Sequence, residues 1–193
     1  VTQLPRVSAT DPIPRLRFAE LAEGVVGYWS LWRIGLVDQS SGATADQSFR
    51  QVKIIPIFHH DDGRNLSTTA RHIWDSLMEE GAKVELLGNV DATNSRAIYD
   101  RLRADAERLG ENAYRDLYER HQSQLKRERE KGEYAFQMRR DALSRVGLSQ
   151  VRQHRLRLLE EDVRVWTEAL RKREQIMPEL LPVLILRVEA EHG

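Results

Sequence analysis

From Thr93 to Met177 the chain contains no proline, and all six of its prolines fall outside that stretch. A proline inside a helix removes a backbone hydrogen bond and clashes with the preceding turn. So long a proline-free run of helix formers therefore commits nearly half of the 193 residues to helix. Gly110, Gly132 and Gly147 are its only glycines, read as interruptions. Gly147-Leu148-Ser149 reads as a helix-ending glycine with φ > 0 followed by an N-cap serine, a tight turn between antiparallel helices. The second helix is expected over about 149–176. Leu159, Val163, Trp166 and Leu170 recur on it at steps of four, three and four, with Leu156 widening the face into a coiled-coil seam. Phe136, Leu143 and Val146 can face it from the incoming helix. At about 1.5 Å per residue the second helix alone would run about 42 Å, a projecting arm.

The flanks have a different character. Residues 1–14 carry Pro5, Pro12 and Pro14 and read as a linker. Residues 15–91 form a β-rich part with one helix. Arg15–Ala19 alternates, Val25–Val37 is rich in β-branched and aromatic residues, and a third strand runs from Phe49 to His60 with Pro56 marking an edge or bulge. Asp38–Gly42 and Asp61–Arg64 supply turn chemistry. Gly24 and Gly27 read as turn or bulge residues. A hydroxyl-capped helix is expected from Leu66, with Ile73, Trp74, Leu77 and Met78 at helical spacing and Gly81 as its stop. Lys83–Leu87 suits a short strand. Pro178 ends the long helical stretch, and the apolar run Leu180–Val188 reads as a returning strand of the sheet interior. The fold class is α+β: an antiparallel sheet with a flanking helix and a long antiparallel helical hairpin, residues 92–177, inserted before the returning strand at 178–193.

Charge narrows the function. Lys and Arg number 30 and so do Asp and Glu, but the excess is local. Residues 139–157 hold six arginines (Arg139, Arg140, Arg145, Arg152, Arg155 and Arg157) against one acid, Asp141. The reversal at Gly147 folds both halves of this run onto one tip. An arginine fork suits phosphate or carboxylate, and clustered arginines with few acids suit a nucleic-acid backbone. Arg139, Arg140, Arg145, Arg152 and Arg155 are the candidate contacts, set against a plain solvated surface or an acidic protein partner.

Other chemistry has less support. The chain has no cysteine, which excludes disulfides and Cys-ligated metals. No apolar run is long enough for a spanning helix. No phosphate-binding loop, nucleophile elbow or zinc-helix motif occurs. His59-His60-Asp61-Asp62 has metal-ligand residue types, yet neighbours on a strand point to opposite faces, and Asp-Asp-Gly is a turn. Trp29, Trp32 and Trp74 could stack bases, but fit a sheet–helix core better. No catalytic residue, bound cofactor or metal is expected.

The run Tyr134-Ala135-Phe136, Arg139-Arg140, Val146-Gly147-Leu148, Val151-Arg152, Arg155-Leu156, Leu159-Glu160 and Trp166, then Pro178-Glu179-Leu180 and an apolar strand, resembles the C-terminal region of bacterial Swi/Snf-type helicases. These are the RapA/HepA-like proteins and the relatives found in DISARM anti-phage systems. The resemblance implies a cytoplasmic parent with an ATP- and Mg-dependent motor translocating on double-stranded DNA. This chain would then be a non-enzymatic accessory domain that grips DNA, couples to its own motor lobes or recruits a protein. A self-association or protein-interaction module acting through the hairpin is the alternative.

Overall fold

The computed structural model describes residues 7–38, 51–79, 83–90 and 92–190. In chain order the elements are β1 (Pro14–Phe18), β2 (Val26–Asp38), β3 (Val52–His60), α1 (Ser67–Met78), β4 (Val84–Asn89), α2 (Ala92–Ser144), α3 (Ser149–Glu174) and β5 (Ile176–Ala190). The expected turn at Asp38–Gly42, past Asp38, and Gly81 lie outside the described residues. The five strands form one sheet in the order β3-β2-β5-β1-β4. β2 and β3 pair antiparallel from Gly27 opposite His60 to Gly35 opposite Val52, and β1 pairs antiparallel with β4. β1 and β5 run parallel, Arg15 opposite Arg187 through Phe18 opposite Ala190. The α+β class with a flanking helix and a helical hairpin stands, but the sheet is mixed and mostly antiparallel. The parallel pair arises because the chain returns through two helices before β5, which frees β5 from the hairpin rule that binds consecutive strands. Pro56 sits on β3, an edge of the sheet, where its missing N–H costs least.

The chain divides into two compact units, residues 1–35, 52–114 and 179–193 in one and 36–51 and 115–178 in the other. In the first, the alternation of β2 sends Trp29 and Leu31 to one face of the sheet and Trp32 to the other. Trp29 and Leu31 pack with Phe18, Phe58, Leu186 and Val188 against Ala70 and Ile73 of α1. Trp32 packs with Ile57 and Ile185 against Leu102 and Ala106 of α2. The indole of Trp29 donates to the Ala70 carbonyl at 2.9 Å, and that of Trp32 to Ser30 Oγ at 2.9 Å. Each such fully buried apolar side chain contributes about 1.5–3 kcal/mol.

In the second unit, α2 and α3 pack antiparallel. The Phe136 and Trp166 rings meet edge-to-face at 5.2 Å. His121, buried, donates from Nε2 to the Arg173 carbonyl at 2.9 Å, satisfying one of the last carbonyls of α3. Glu128 pairs with Arg173 and Arg129 with Glu174. α3 ends at Glu174 with Gln175 N–H bonded back to Lys172, so Pro178 does not stop the helix but lies inside β5. Gly110 and Gly132 do not interrupt α2. A Cβ on Gly132 would stand 2.1 Å from Cζ2 of Trp166, and one on Gly110 2.3 Å from Cδ1 of Ile34. Both are notches for a neighbour. Among the described residues no helix is long and apolar enough to cross a membrane.

Candidate nucleic-acid interface

The turn between α2 and α3 carries the arginines, and it is built differently from the expectation. Positive φ among the described residues occurs at Gly24, Gly63 and Gly88, not at Gly147. The last turn of α2 tightens instead. Arg145 N–H bonds the Ala142 carbonyl at 3.3 Å and Val146 N–H the Leu143 carbonyl at 3.1 Å, the short-step pattern common at helix ends. Ser144 Oγ donates to the Asp141 carbonyl at 2.7 Å. Leu148, not Ser149, is the N-cap of α3, with φ −76°, ψ 106° and no side-chain cap. α1 likewise starts from Leu66 without the expected hydroxyl cap.

Arg152 does part of the work a cap would do. Its guanidinium donates to the Val146 carbonyl at 2.9 Å, tying the start of α3 to the connecting turn. That contact leaves it half-buried and commits it to the turn, so it is the least available of the five candidates for an anion. The cross-hairpin contacts fix the register and bring Arg145 about level with Arg155. Arg139 and Arg140 fall about level with Glu160 and Glu161. Glu161 is already held by Arg164 at 2.6 Å, and that hydrogen bond keeps its carboxyl below the usual range. Arg139 is exposed, its guanidinium 6.0 Å from the Phe136 ring centroid. Arg140, Arg145, Arg155 and Arg157 are exposed, with no ion-pair or hydrogen-bond partner among the described residues. Asp141, the one acid in the run, accepts the Gln137 amide at 2.9 Å rather than an arginine. Apart from Arg152, the arrangement is an exposed group of guanidinium forks with no ion-pair partner among the described residues.

The other candidates resolve into structure. Trp29 and Trp32 are 0% and 1% exposed on opposite faces of the sheet, and Trp74 stacks on Trp29 at 6.3 Å, so the three form no base-stacking platform. His59 Nδ1 lies 2.8 Å from Asp105 Oδ2, while His60 sits 3.1 Å from the Gly24 carbonyl and 2.9 Å from Asp62. The two rings are engaged with different partners and do not converge. Among the described residues no three His, Asp or Glu side chains gather as a metal set.

One cluster escaped the sequence reading. Arg187 of β5 forks onto Asp61 at 2.5 and 2.6 Å and lies 4.8 Å over the Tyr28 ring. Beside it Arg15 donates to Glu189 at 2.9 Å. The hydrogen bond from Arg187 holds Asp61 below the usual carboxylate range, and that same bond raises Arg187. Two guanidiniums meet two carboxylates, so the charges cancel, and the cluster pins β5 to the turn after β3. Its one trace in the sequence is Arg187, a lone cation in an apolar strand. Compared with known proteins, the chain matches no family model, no curated protein and no solved structure.

Proposed function

We propose that the chain is a non-catalytic accessory domain of a helicase-like, DNA-dependent ATPase, and that the α2–α3 turn contacts the phosphate backbone of nucleic acid, double-stranded DNA foremost. The observation that carries this reading is the group Arg139, Arg140, Arg145 and Arg155. All four are exposed, lie around one turn, and form no ion pair among the described residues. A protein that needed these charges only for solubility would gain as much from interleaved acids. Guanidiniums without acids instead suit phosphates, whose bound counterions they displace.

Binding should be independent of sequence and steeply salt-dependent, with a log–log slope of about −0.9 per phosphate neutralised. A fluorescence-anisotropy salt titration on a labelled duplex tests this with the wild type and Arg139→Ala/Arg140→Ala/Arg145→Ala. The triple variant should weaken binding on every sequence and cut the slope by about 2–3 units, with an unchanged thermal melt because the residues are exposed. Absence of salt-dependent binding by the wild type at low ionic strength, or a wild-type slope in the variant, refutes the reading. The purified chain should also show no ATP turnover, since it has no backbone cradle and lysine for the phosphates. Turnover stimulated by duplex DNA would overturn the accessory assignment.

A further inference from the structure

α3 carries two apolar faces, and the hairpin uses one. Leu156, Leu159, Val163, Trp166 and Leu170 turn toward α2. Val151, Leu158 and Val165 do not, and they stand 37%, 55% and 60% exposed. They recur every seven residues, so at about 100° per residue they form a line along the helix, roughly 115° around from the seam. Met138 of α2, 44% exposed, falls by the same geometry on this side of the hairpin. Flanking the line on one side are Arg155 and Asp162, themselves seven residues apart. Neither has an ion-pair or hydrogen-bond partner among the described residues.

We infer that this face binds a second copy of the chain, α3 against α3, antiparallel, with a two-fold axis through Leu158. The stripe is its own complement about that residue. Leu158 meets Leu158 of the second copy, and Val151 meets its Val165. On one flank Arg155 meets Asp162 of the second copy, and the axis repeats the pair. A parallel pairing, with its two-fold along the helices, would put the Arg155 and Asp162 flanks of the two copies on opposite sides of the contact and so forgo both ion pairs. The self-complementary patch is what a two-fold contact between identical subunits requires. Three apolar layers and two ion pairs cover less than the roughly 800 Å² per partner of a standard interface, so the dimer is concentration-dependent. The inference does not rest on the nucleic-acid reading: Arg155 enters both, whereas Arg140 and Arg145 lie outside the pairing.

Sedimentation velocity over a concentration series of the whole chain tests it. The wild type should shift from monomer to dimer as concentration rises. Leu158→Lys should remain monomeric throughout with an unchanged melting curve, since the side chain it replaces is exposed. Arg155→Asp and Asp162→Arg should each weaken the dimer by about tenfold or more, and the two together should restore it. The natural chain lacks cysteine, so Leu158→Cys gives a direct check of the axis. It should form a covalent dimer under mild oxidation much faster than Gln153→Cys on the far side of α3. A wild type that stays monomeric, a Leu158→Lys variant that dimerises normally, a double charge swap no tighter than the singles, or equal cross-linking at 158 and 153 would each overturn the proposal.

Discussion

Gly132 and Gly147 show how one residue type carries opposite consequences. At Gly132 a methyl group would press into the Trp166 ring, which Phe136 holds edge-on, while at Gly147 no atom lies within 4 Å of the added carbon and φ is not positive. Gly132→Ala should therefore destabilise the protein by about 1–3 kcal/mol through overpacking. Gly147→Val should stay within about 0.5 kcal/mol, as expected for an open surface site. Paired thermal melts check the order, and a larger loss at Gly147 would refute it. In the sequence both glycines read as breaks, because a notch and a turn ask for the same missing side chain. What separates them is a neighbour 34 residues further on, Trp166 facing Gly132. Asp61 supplies a pH test at the same scale. Arg187 holds its folded pKa below the ordinary 3.8, so the unfolded chain takes up the proton first. The contribution is fully present above about pH 4 and is lost as pH falls through the folded value. Urea midpoints between pH 2 and 6 should fall on acidification, and Asp61→Asn should flatten that fall. Part of the fall should persist. At Asp105 burial works upward, but hydrogen bonds from Arg108, Asn65 and His59 outweigh it and also leave the carboxyl lowered.

Elements were legible where periodicity is strong and obscure where one residue sets a boundary. The β-branched and aromatic run Val25–Val37 and the proline-free run after Thr93 correspond to β2, α2 and α3, because the bias toward one backbone conformation is repeated over many residues at once. The caps were misplaced because a cap depends on a single backbone angle. The N-caps of α1 and α3 are Leu66 and Leu148, neither of which has a side-chain oxygen to offer. That leaves the first N–H groups of α3 without a side-chain acceptor. Leu148 is 71% exposed and its backbone is extended, as a capping residue's must be. Leu148→Ser should then stabilise the chain by about 0.5–2 kcal/mol, since little burial is lost and an N-terminal donor gains an acceptor. A melting temperature unchanged or lowered would show that Arg152, bonded to the Val146 carbonyl, already supplies all the order this turn can use. The arginine group itself was legible as composition, six cations beside one acid. The diversion of Arg152 was not, since only the chain path puts the Val146 carbonyl within its reach.

Across the whole molecule the least legible feature is the sheet order, which seats β5 between β2 and β1. Hairpin reasoning finds β2 beside β3 because they are consecutive. Nothing local announces that a strand starting at Ile176 will pair with one starting at Pro14. The consequence is that the last strand completes the core begun by the first. β5 contributes Leu186, Val188 and Ala190 to one face and Ile185 to the other, and Arg187 fastens the turn after β3. The α2–α3 contacts, in contrast, join residues of the helices themselves: His121 to Arg173, Phe136 to Trp166, Arg129 to Glu174. A chain ended after Gln175 should therefore lose the sheet and keep the hairpin. Removal of a central strand leaves Trp29 and Trp32 without their neighbours on both faces, and about 1.5–3 kcal/mol goes with each large apolar side chain exposed. That loss rivals the whole stability of an ordinary domain. The shortened chain should show tryptophan emission shifted to the red and loss of near-ultraviolet dichroism, while the helical signal at about 222 nm falls only in proportion to α1 and the first turns of α2. Collapse of the helical signal together with the tryptophan signal would mean that the hairpin depends on the sheet for its own order.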